Sequence, residues 1–300
     1  MERIKFNVII PVAYKDFSFL KKTIPYVIEY IQPQKVILLF DFRLKRYMPK
    51  EVLCHPNVQI VDENQLLDGV SFSVVKNLLD KHGLPVRRTG WFLQQFLKLG
   101  FAQSRFCDMD YYLSWDADTL PLRNIEFFTL EGKPIFTKKK EHNQAYFDTL
   151  ARLLPMAKCA DFSFIAEHMM FNKNVMCRML ADIELSSVSG KTWYEKIVNA
   201  TNPKEVNSFS EFETYGNYCL NHNPNMYETQ VLNTFRKAGY IAGRFISERK
   251  LHYMSFDLDT ASFELGDYPC GVEKYVCYAY NKWLKIQEKL IKKCIKQLEY

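Results

Sequence analysis

The stretch KFNVIIPVAYKDFSFLKKTIPYVIEYIQPQKVILLF, residues 5–40, decides the fold that we expect for this chain. Two short apolar runs, 5–12 and 35–40, flank an amphipathic segment at roughly 17–31. This order is typical of a strand–helix–strand unit whose strands are buried on both faces. A third apolar run, NVQIVD at 57–62, adds another strand. The sequence therefore predicts an α/β protein with a sheet flanked by helices.

The composition excludes several classes of protein. The chain has 300 residues, of which 48% are hydrophobic, enough for one large or two small domains. A net charge of +6 is too small for a nucleic-acid-binding surface, and we expect no nucleic acid partner. Eight cysteines without a CxxC pair indicate neither a zinc knuckle nor a disulfide framework. No signal peptide or run of 18 apolar residues is evident, so we expect a cytoplasmic protein.

The remaining chain alternates predicted helices and strands. We expect helices at 73–81 and from Thr89 onward, a strand in DYYLSWDAD (110–118), and a final amphipathic helix at 279–298. No repeat or flexible linker is visible, so a division marks a change of role within one domain. We assign 1–140 to donor binding, 141–278 to acceptor binding and catalysis, and 279–300 to the C-terminal helix.

Asp116 and Asp118 follow an apolar strand two positions apart. Side chains at i and i+2 of extended chain point the same way, so both carboxylates can converge on one cation. Hard oxygen ligands suit Mg²⁺ or Mn²⁺, with water and a diphosphate filling the other positions. The alternative is that a strand-end aspartate only caps a turn, for which Thr119-Leu120-Pro121 is a candidate.

Four segments along the chain carry a resemblance to a known family. They are GWFLQQFLK (90–98), WDAD (115–118), EHMMF (167–171) and SEFETYG (210–216). In this order they resemble bacterial GT-A-fold glycosyltransferases of capsule and lipopolysaccharide assembly, which carry G-W-x-x-Q-Q-x-x-K, W-D-x-D, E-H-M-x-F and S-E-[YF]-E-x-Y-G motifs. The resemblance spans roughly 4–256. It implies a GT-A-like (Rossmann-like) mixed sheet, a divalent metal and a nucleotide-diphosphate sugar, with a UDP-sugar favoured over a GDP-sugar.

The resemblance also implies roles for the carboxylates. Asp118 is expected to bind the metal directly, while Asp116 binds it through water or contacts the ribose. GT-A enzymes often draw a third ligand from late in the chain, for which His252 is the candidate. The alternative for His252 is an ordinary hydrogen-bonded residue.

Two groups of residues are candidates for donor binding. Arg87 and Arg88 precede Thr89, a candidate N-cap, so guanidinium groups and a helix N-terminus can meet a phosphate there. Along the helix, Gln94 and Lys98 share a face with Gln95 alongside, which suits a sugar ligand or a solvated surface.

The first strands of the sheet supply further donor contacts. Pro11 and Val12 end the first strand, and Asp41 ends the second, so all three reach the carboxyl edge where ligands bind in open α/β sheets. We expect them to contact the nucleoside, although Asp41 is also suited to capping a turn.

An inverting transferase needs a carboxylate that removes the acceptor proton. Ser210 and Glu213 fit a capping box, which leaves Glu211 free as the first candidate for the base. Glu167 ranks second, and Glu213 is the third catalytic candidate. In a retaining enzyme, Glu211 and Glu213 would instead bind sugar hydroxyls. His168 alternates with Glu167 and fits a structural role.

The segment Tyr215, Gly216 and Asn217 is expected to complete the acceptor wall. It follows Glu211 and Glu213 in the same motif.

The C-terminal helix carries an apolar stripe and many lysines. The stripe comprises Trp283, Leu284, Ile286, Leu290, Ile291, Cys294, Ile295 and Leu298, and the lysines are Lys282, Lys285, Lys289, Lys292, Lys293 and Lys296. A basic amphipathic helix lies on an anionic membrane or packs on its own domain or a partner subunit. A membrane contact would bring the enzyme to lipid-linked acceptors at the inner face of the cytoplasmic membrane.

These observations favour a metal-dependent glycosyltransferase that extends a bacterial surface polysaccharide, with inversion. The alternatives are a retaining transferase, a nucleotidyltransferase and a non-catalytic glycan-binding protein. A nucleotidyltransferase needs a glycine-rich triphosphate loop near the first strand, and VIIPVAYKDF lacks glycine. The sequence leaves the oligomeric state open.

Overall fold

The computed structural model describes residues 3–205 and 207–297. Residues 1, 2, 206 and 298–300 lie outside the described residues. The start of the predicted segment 1–140 and the end of the predicted segment 279–300, with Leu298 of the apolar stripe, therefore lie outside the description as well. The side chains of Lys292 and Lys296, two of the predicted lysines, are likewise outside the description.

Ten strands are assigned within the described residues. They are β1 (Asn7–Pro11), β2 (Val36–Phe40), β3 (Val58–Asp62), β4 (Tyr111–Trp115), β5 (Thr119–Pro121), β6 (Ile135–Thr137), β7 (His168–Asn172), β8 (Glu228–Gln230), β9 (Thr234–Phe235) and β10 (Thr260–Ser262).

Eleven α-helices accompany them in the same part of the chain. They are α1 (Leu20–Tyr30), α2 (Lys50–Leu53), α3 (Phe72–Lys81), α4 (Thr89–Gly100), α5 (Gln144–Leu153), α6 (Lys173–Leu185), α7 (Trp193–Ala200), α8 (Glu211–His222), α9 (Gly239–Ala242), α10 (Glu248–Met254) and α11 (Val272–Gln297).

The main sheet has the order β3-β2-β1-β4-β7. The first four strands are parallel, and β7 runs antiparallel to β4. All five residues of β2 are buried, as expected for a strand covered by helices on both faces. The predicted mixed sheet flanked by helices is therefore confirmed.

Two smaller sheets adjoin the main one. Strands β5, β10 and β9 form a three-stranded sheet, and β6 pairs with β8. Thr119-Leu120-Pro121, considered as a turn from the sequence, is the strand β5 of the second sheet. The segment 244–256 contains the end of a 3₁₀ turn, Gly243–Phe245, followed by α10. The C-terminal helix α11 begins at Val272, seven residues before the predicted start at 279.

The two halves of the chain share one core. Strand β7 from the second half pairs with β4 from the first, and the largest cluster of buried side chains runs from Ile9 to Tyr227. No helix in the described part of the chain combines the length and the apolar character needed to cross a membrane.

Candidate active site

The Asp116–Asp118 segment is a turn between two sheets. Thr119 donates its backbone N–H to the Asp116 carbonyl over 3.2 Å, and the Trp115 indole donates to the Thr119 carbonyl over 2.8 Å. The chain is therefore not extended between the two aspartates, and the prediction that the i and i+2 spacing on a strand aligns their carboxylates was wrong. The turn nevertheless leaves both carboxylates at the carboxyl end of β4.

Asp116 belongs to a buried charge cluster. Lys98 Nζ lies 3.0 Å from Asp116 Oδ1 and 2.9 Å from Glu211 Oε1. Lys98 is only 2% exposed. Burial alone lowers the pKa of its ammonium group, but the two carboxylates outweigh this effect and raise the pKa above its ordinary value. Lys98 therefore carries a permanent charge that holds Asp116 beside Glu211.

Asp118 lies in a second charged group. Arg244 Nη2 lies 2.6 Å from Asp16 Oδ1 and 3.6 Å from Asp118 Oδ2. Burial and the charge of Asp16 raise the pKa of Asp118 to about 7; Asp116 adds to the rise, while Arg244 opposes it.

The donor set at this turn fits a hard divalent cation in part. Asp116 and Asp118 offer carboxylate oxygens, and the nearby carboxylate Asp16 adds negative charge that a cation would offset. Within residues 3–205 and 207–297, however, no three His, Cys, Asp or Glu side chains form a metal-binding group. His252 is exposed on α10 and forms no such group with the two aspartates. A bound ion would therefore depend on water and a diphosphate for its other ligands.

Glu167 precedes β7 and faces the same region. The Asp116 backbone N–H donates to the Glu167 carbonyl over 2.9 Å, which joins the ends of β4 and β7. The Glu167 side chain is 4% exposed, and Arg236 Nε lies 2.7 Å from its Oε1. This ion pair is not aligned as a hydrogen bond, and neither carboxylate oxygen has a hydrogen-bond partner among the described residues. Burial raises the pKa of Glu167 despite Lys139 and Arg236.

His168 has a structural role. Its ring stacks on Trp115 with centroids 4.9 Å apart, and its Nε2 lies 2.9 Å from Thr137 Oγ1. Burial lowers the pKa of His168 to about 3, so the imidazole is neutral. His168 therefore packs the sheet under Glu167 and holds no charge for catalysis.

Glu213 is bound into the protein, but not through the expected capping box. Ser210 accepts a hydrogen bond from the Glu213 backbone N–H over 3.3 Å, as predicted. The Glu213 carboxylate instead accepts from Ser163 Oγ over 2.5 Å and from the Phe164 N–H over 3.3 Å. It thereby fixes the segment that leads to Glu167. Glu211, expected to be free, is paired with Lys98.

The segment 215–217 belongs to the core rather than to an open wall. Tyr215 is fully buried, and its hydroxyl accepts a hydrogen bond from the Asn172 N–H over 2.8 Å. Asn217 is also fully buried, and Gly216 lies against the Phe164 ring.

The start of α4 differs from the predicted phosphate site. Thr89 is the first helical residue and donates its hydroxyl to the Val86 carbonyl, so it does not cap the helix. Arg87 is exposed, while Arg88 lies 4.1 Å above the Trp91 ring and contacts Asn207. The two guanidinium groups therefore lie in different environments, and they do not form the predicted phosphate site with a Thr89 cap.

The polar residues of α4 do not form one common ligand-binding face. Gln95 is buried, and its Oε1 accepts a hydrogen bond from the Glu211 N–H over 3.2 Å, so it anchors α8. Gln94 is half-buried and remains available to a ligand. Lys98, predicted on the same face as Gln94, points into the charge cluster.

The nucleoside candidates lie at the same sheet edge. Pro11 ends β1, and the Val12 N–H donates to the Leu39 carbonyl over 2.8 Å. Asp41 follows β2 and accepts a hydrogen bond from the Arg43 backbone N–H over 3.0 Å, as its capping alternative anticipated. Its carboxylate also pairs with the Arg43 guanidinium over 2.7 Å. Next to it, burial and the charges of Asp41 and Asp62 raise the pKa of Glu63 to about 8.

The sequence analysis did not predict four residues of the charged cluster. They are Asp16, Lys139, Arg236 and Arg244. Asp16 follows β1 at the carboxyl edge, so the reasoning applied to Asp41 would have found it. The three basic residues belong to no local pattern, because the chain brings them in from distant segments.

A separate cavity of about 690 Å³ lies away from this cluster, lined by residues that include Leu153, Asp182, Tyr218 and His222. None of the predicted site residues lines it. The charged cluster, rather than this cavity, therefore remains the candidate site.

The family assignment rests on a sequence model that matches residues 42–244. The chain belongs to DUF6492, a family of unknown function. The DUF6492 match includes Lys98, both turn aspartates, Glu167, Glu211 and Arg244, and it leaves out β1, His252 and α11. No curated protein matches the chain.

Several solved glycosyltransferases are similar in structure to this DUF6492 protein at low scores. The galactosyltransferase LgtC, in complex with donor and acceptor sugar analogs, has 12% identity and a TM-score of 0.45, with 93% of this chain and 95% of that chain covered. Mouse xyloside xylosyltransferase 1 has 9% identity and a TM-score of 0.43, covering 87% and 97%. The bifunctional glycosyltransferase WbbM has 12% identity and a TM-score of 0.43, covering 88% and 46%.

Proposed function

We propose that this protein is a GT-A-type, divalent-metal-dependent glycosyltransferase that moves a sugar from a nucleotide-diphosphate donor to a glycan acceptor. One observation carries the proposal: the ends of β4 and β7 bring Glu167, a buried carboxylate without a hydrogen-bond partner among the described residues, next to Asp116. Arg236 Nε lies 2.7 Å from one of the Glu167 oxygens and offsets the Glu167 charge, and the hydroxyl group of a sugar would supply the aligned hydrogen-bond donor that the carboxylate lacks. The four ordered motifs of the sequence support the same chemistry.

The turn after β4 is the proposed donor end of the site. Asp118 and Asp116 would hold Mn²⁺ or Mg²⁺, which stabilises the charge that grows on the departing diphosphate. Lys98 holds Asp116 in place, and Arg244 holds Asp118 and Asp16. Arg88 and Gln94 are proposed to contact the donor, while Pro11, Val12 and Asp41 reach its nucleoside.

Glu167 is the proposed general base, in place of Glu211. Glu211 is hydrogen-bonded to the buried Lys98, whereas Glu167 lies 2.7 Å from the partly exposed Arg236 without an aligned hydrogen bond, and burial raises the pKa of Glu167. A raised carboxyl pKa brings a base closer to the pH at which it works. Glu167 takes the acceptor hydroxyl proton while the acceptor oxygen bonds to the anomeric carbon and the bond to the diphosphate breaks. This displacement inverts the anomeric centre.

A retaining enzyme would use the same residues differently. No base acts on the acceptor face in that case, and Glu167 would accept a hydrogen bond from a sugar hydroxyl without taking its proton. The anomeric configuration of the product separates the two mechanisms.

The biological setting rests on the sequence resemblance. We propose a cytoplasmic enzyme, peripheral at the inner face of the membrane, that extends a bacterial surface polysaccharide of the capsule or lipopolysaccharide type. Its acceptor would be a glycan or a lipid-linked glycan.

Nucleotide release from sugar donors tests the proposal. UDP-sugars and GDP-sugars are incubated with the protein, with and without Mn²⁺, and slow hydrolysis of the donor is measured. We expect one nucleotide class to be released only with metal, and release to be lost in Asp118→Asn. Asp161→Asn, an exposed substitution outside the cluster, is the control and should behave as wild type. No release with any donor would contradict the proposal.

A further inference from the structure

Helix α11 has two apolar faces, of which only one is packed against the protein. Cys277, Leu284 and Ile291 are buried, and the helix is also held by a 2.8 Å hydrogen bond from the Tyr14 hydroxyl to Gln287. A second set is exposed and repeats at alternating spacings of four and three, which makes one continuous stripe on a helix. Its members are Val272, Val276, Ala279, Trp283, Ile286 and Leu290. The predicted single stripe is therefore divided between these two faces.

Aromatic side chains extend the exposed stripe onto the body of the protein. The Tyr280 ring stacks on Trp283 with centroids 5.8 Å apart, and the Phe245 ring lies 5.1 Å from Tyr280. Trp283 is 50% exposed and Phe245 is 55% exposed. Tryptophan, tyrosine and phenylalanine are side chains that suit the boundary between lipid and water. The apolar surface thus runs continuously from α11 to the 3₁₀ turn at 243–245.

The charge beside the stripe is positive. Four exposed lysines, Lys282, Lys285, Lys289 and Lys293, follow one flank of it. The two acidic residues within the described part of α11 have partners, since Glu273 pairs with Lys250 and Glu288 takes part in a further interaction. A second copy packed on this face would bring two rows of lysines together, at an electrostatic cost. An anionic lipid surface complements the same charges.

This surface borders the candidate active site. Phe245 directly follows Arg244, whose guanidinium contacts Asp16 and Asp118. The hydroxyl of Tyr280 lies 2.6 Å from that of Ser18, so α11 is also joined to the loop that contains Asp16. A bilayer against the stripe would therefore lie beside the turn after β4.

We propose that the exposed stripe of α11, Phe245 and the four lysines form a surface that binds an anionic lipid bilayer peripherally. Binding would place the candidate site next to the headgroups, where a lipid-linked acceptor presents its sugar. The identity of the acceptor rests on the proposed function, whereas lipid binding does not.

Vesicle flotation of the full chain tests the surface. Vesicles are made of phosphatidylcholine alone or with phosphatidylglycerol, at low and high salt. We expect flotation with the anionic vesicles at low salt and none with phosphatidylcholine alone. Combining Trp283→Ser with Ile286→Ser should abolish binding. Replacing Lys282, Lys285 and Lys289 by Gln should lower the partition coefficient on the order of 100-fold.

Matched controls distinguish binding through this surface from nonspecific hydrophobic binding to vesicles. Leu130 and Leu185 are 89% and 85% exposed outside α11, so Leu130→Ser and Leu185→Ser should bind as wild type. Lack of flotation with anionic vesicles would overturn the inference, as would equal binding by the α11 and control variants. A wild-type dimer that the Trp283/Ile286 pair makes monomeric, without any vesicle binding, would assign the face to a second copy and also overturn it.

A nucleotide titration keeps this inference distinct from the proposed function. The Trp283/Ile286 variant should bind nucleotide as the wild type does, because neither residue touches the charged cluster. A wild-type protein that floats but binds no nucleotide would uphold the lipid surface and contradict the transferase.

Discussion

Arg236 Nε lies 2.7 Å from Glu167 Oε1, yet the carboxylate that it neutralises has no hydrogen bond among the described residues. The pair is buried on the Glu167 side and exposed on the Arg236 side, where Arg236 also contacts Glu141. Arg236 therefore compensates the charge of Glu167, while no aligned donor among the described residues uses the hydrogen-bonding capacity of the Glu167 carboxylate. This arrangement keeps an acceptor available to a ligand at the end of β7.

Replacing Glu167 by Gln should lower kcat by roughly 100-fold or more, because the proton acceptor is lost while its shape remains. Nucleotide affinity should change little, since the diphosphate site lies at the turn after β4. Steady-state kinetics and titration calorimetry measure the two quantities. Glu141→Gln removes the other, exposed partner of Arg236 and is the matched control. Full activity in Glu167→Gln, or a larger loss in Glu141→Gln, would argue against the base.

Replacing Lys98 by Met should reduce the free energy of unfolding by about 3–5 kcal/mol, because Asp116 and Glu211 lose a buried counter-ion. Urea denaturation followed by circular dichroism measures it. Lys21→Met removes the exposed Lys21–Glu51 ion pair and should cost no more than about 1 kcal/mol. Equal effects of the two substitutions would contradict a buried, charged Lys98.

Stability should depend on pH through Glu63. Its pKa is about 8 in the folded protein, against 4.5 for the free side chain, so the folded state retains a proton that the unfolded state has lost between these values. Stability therefore falls as pH rises through this window. Glu63→Gln should be as stable as wild type near pH 4.5 and more stable by roughly 4 kcal/mol near pH 8. A stability difference that is constant with pH would contradict a retained proton on Glu63.

Two glycines of the motifs should respond oppositely to alanine. A Cβ at Gly216 would lie 2.4 Å from the Phe164 ring, so Gly216→Ala should destabilise the protein by about 1–3 kcal/mol. Gly90 has no atom within 4 Å of that position, and Gly90→Ala should stabilise α4 by about 0.5–1 kcal/mol. Thermal unfolding compares the two variants. Similar melting temperatures would mean that Gly216 is not needed for close packing.

The sequence was most informative where the pattern is local. The apolar runs at 5–12 and 35–40 correspond to β1 and β2, because a strand covered on both faces leaves a continuous apolar signal. The run at 57–62 corresponds to β3, an edge strand in which only Val61 is buried. The carboxyl edge of these strands then follows from topology, and it contains Asp41 and the turn aspartates.

Partners from distant segments could not be predicted. The pairs Lys98–Glu211 and Arg244–Asp16 join residues more than 100 positions apart, and no periodicity relates them. Local reasoning also misplaced Glu213, because the capping box competes with the Ser163 hydroxyl, which only the tertiary fold brings near. For the same reason Glu211, and not Glu167, seemed free.

The most direct measurement is calorimetric titration of UDP and GDP into the purified protein, with and without Mn²⁺, in the wild type and Asp118→Ala. If Asp116 and Asp118 hold a metal diphosphate, one nucleotide should bind only with Mn²⁺, and the substitution should abolish binding. Asp118 is half-buried and contacts Arg244, so circular dichroism and thermal unfolding should first establish that the variant folds. Binding of neither nucleotide to the folded wild type, with or without metal, would contradict the account.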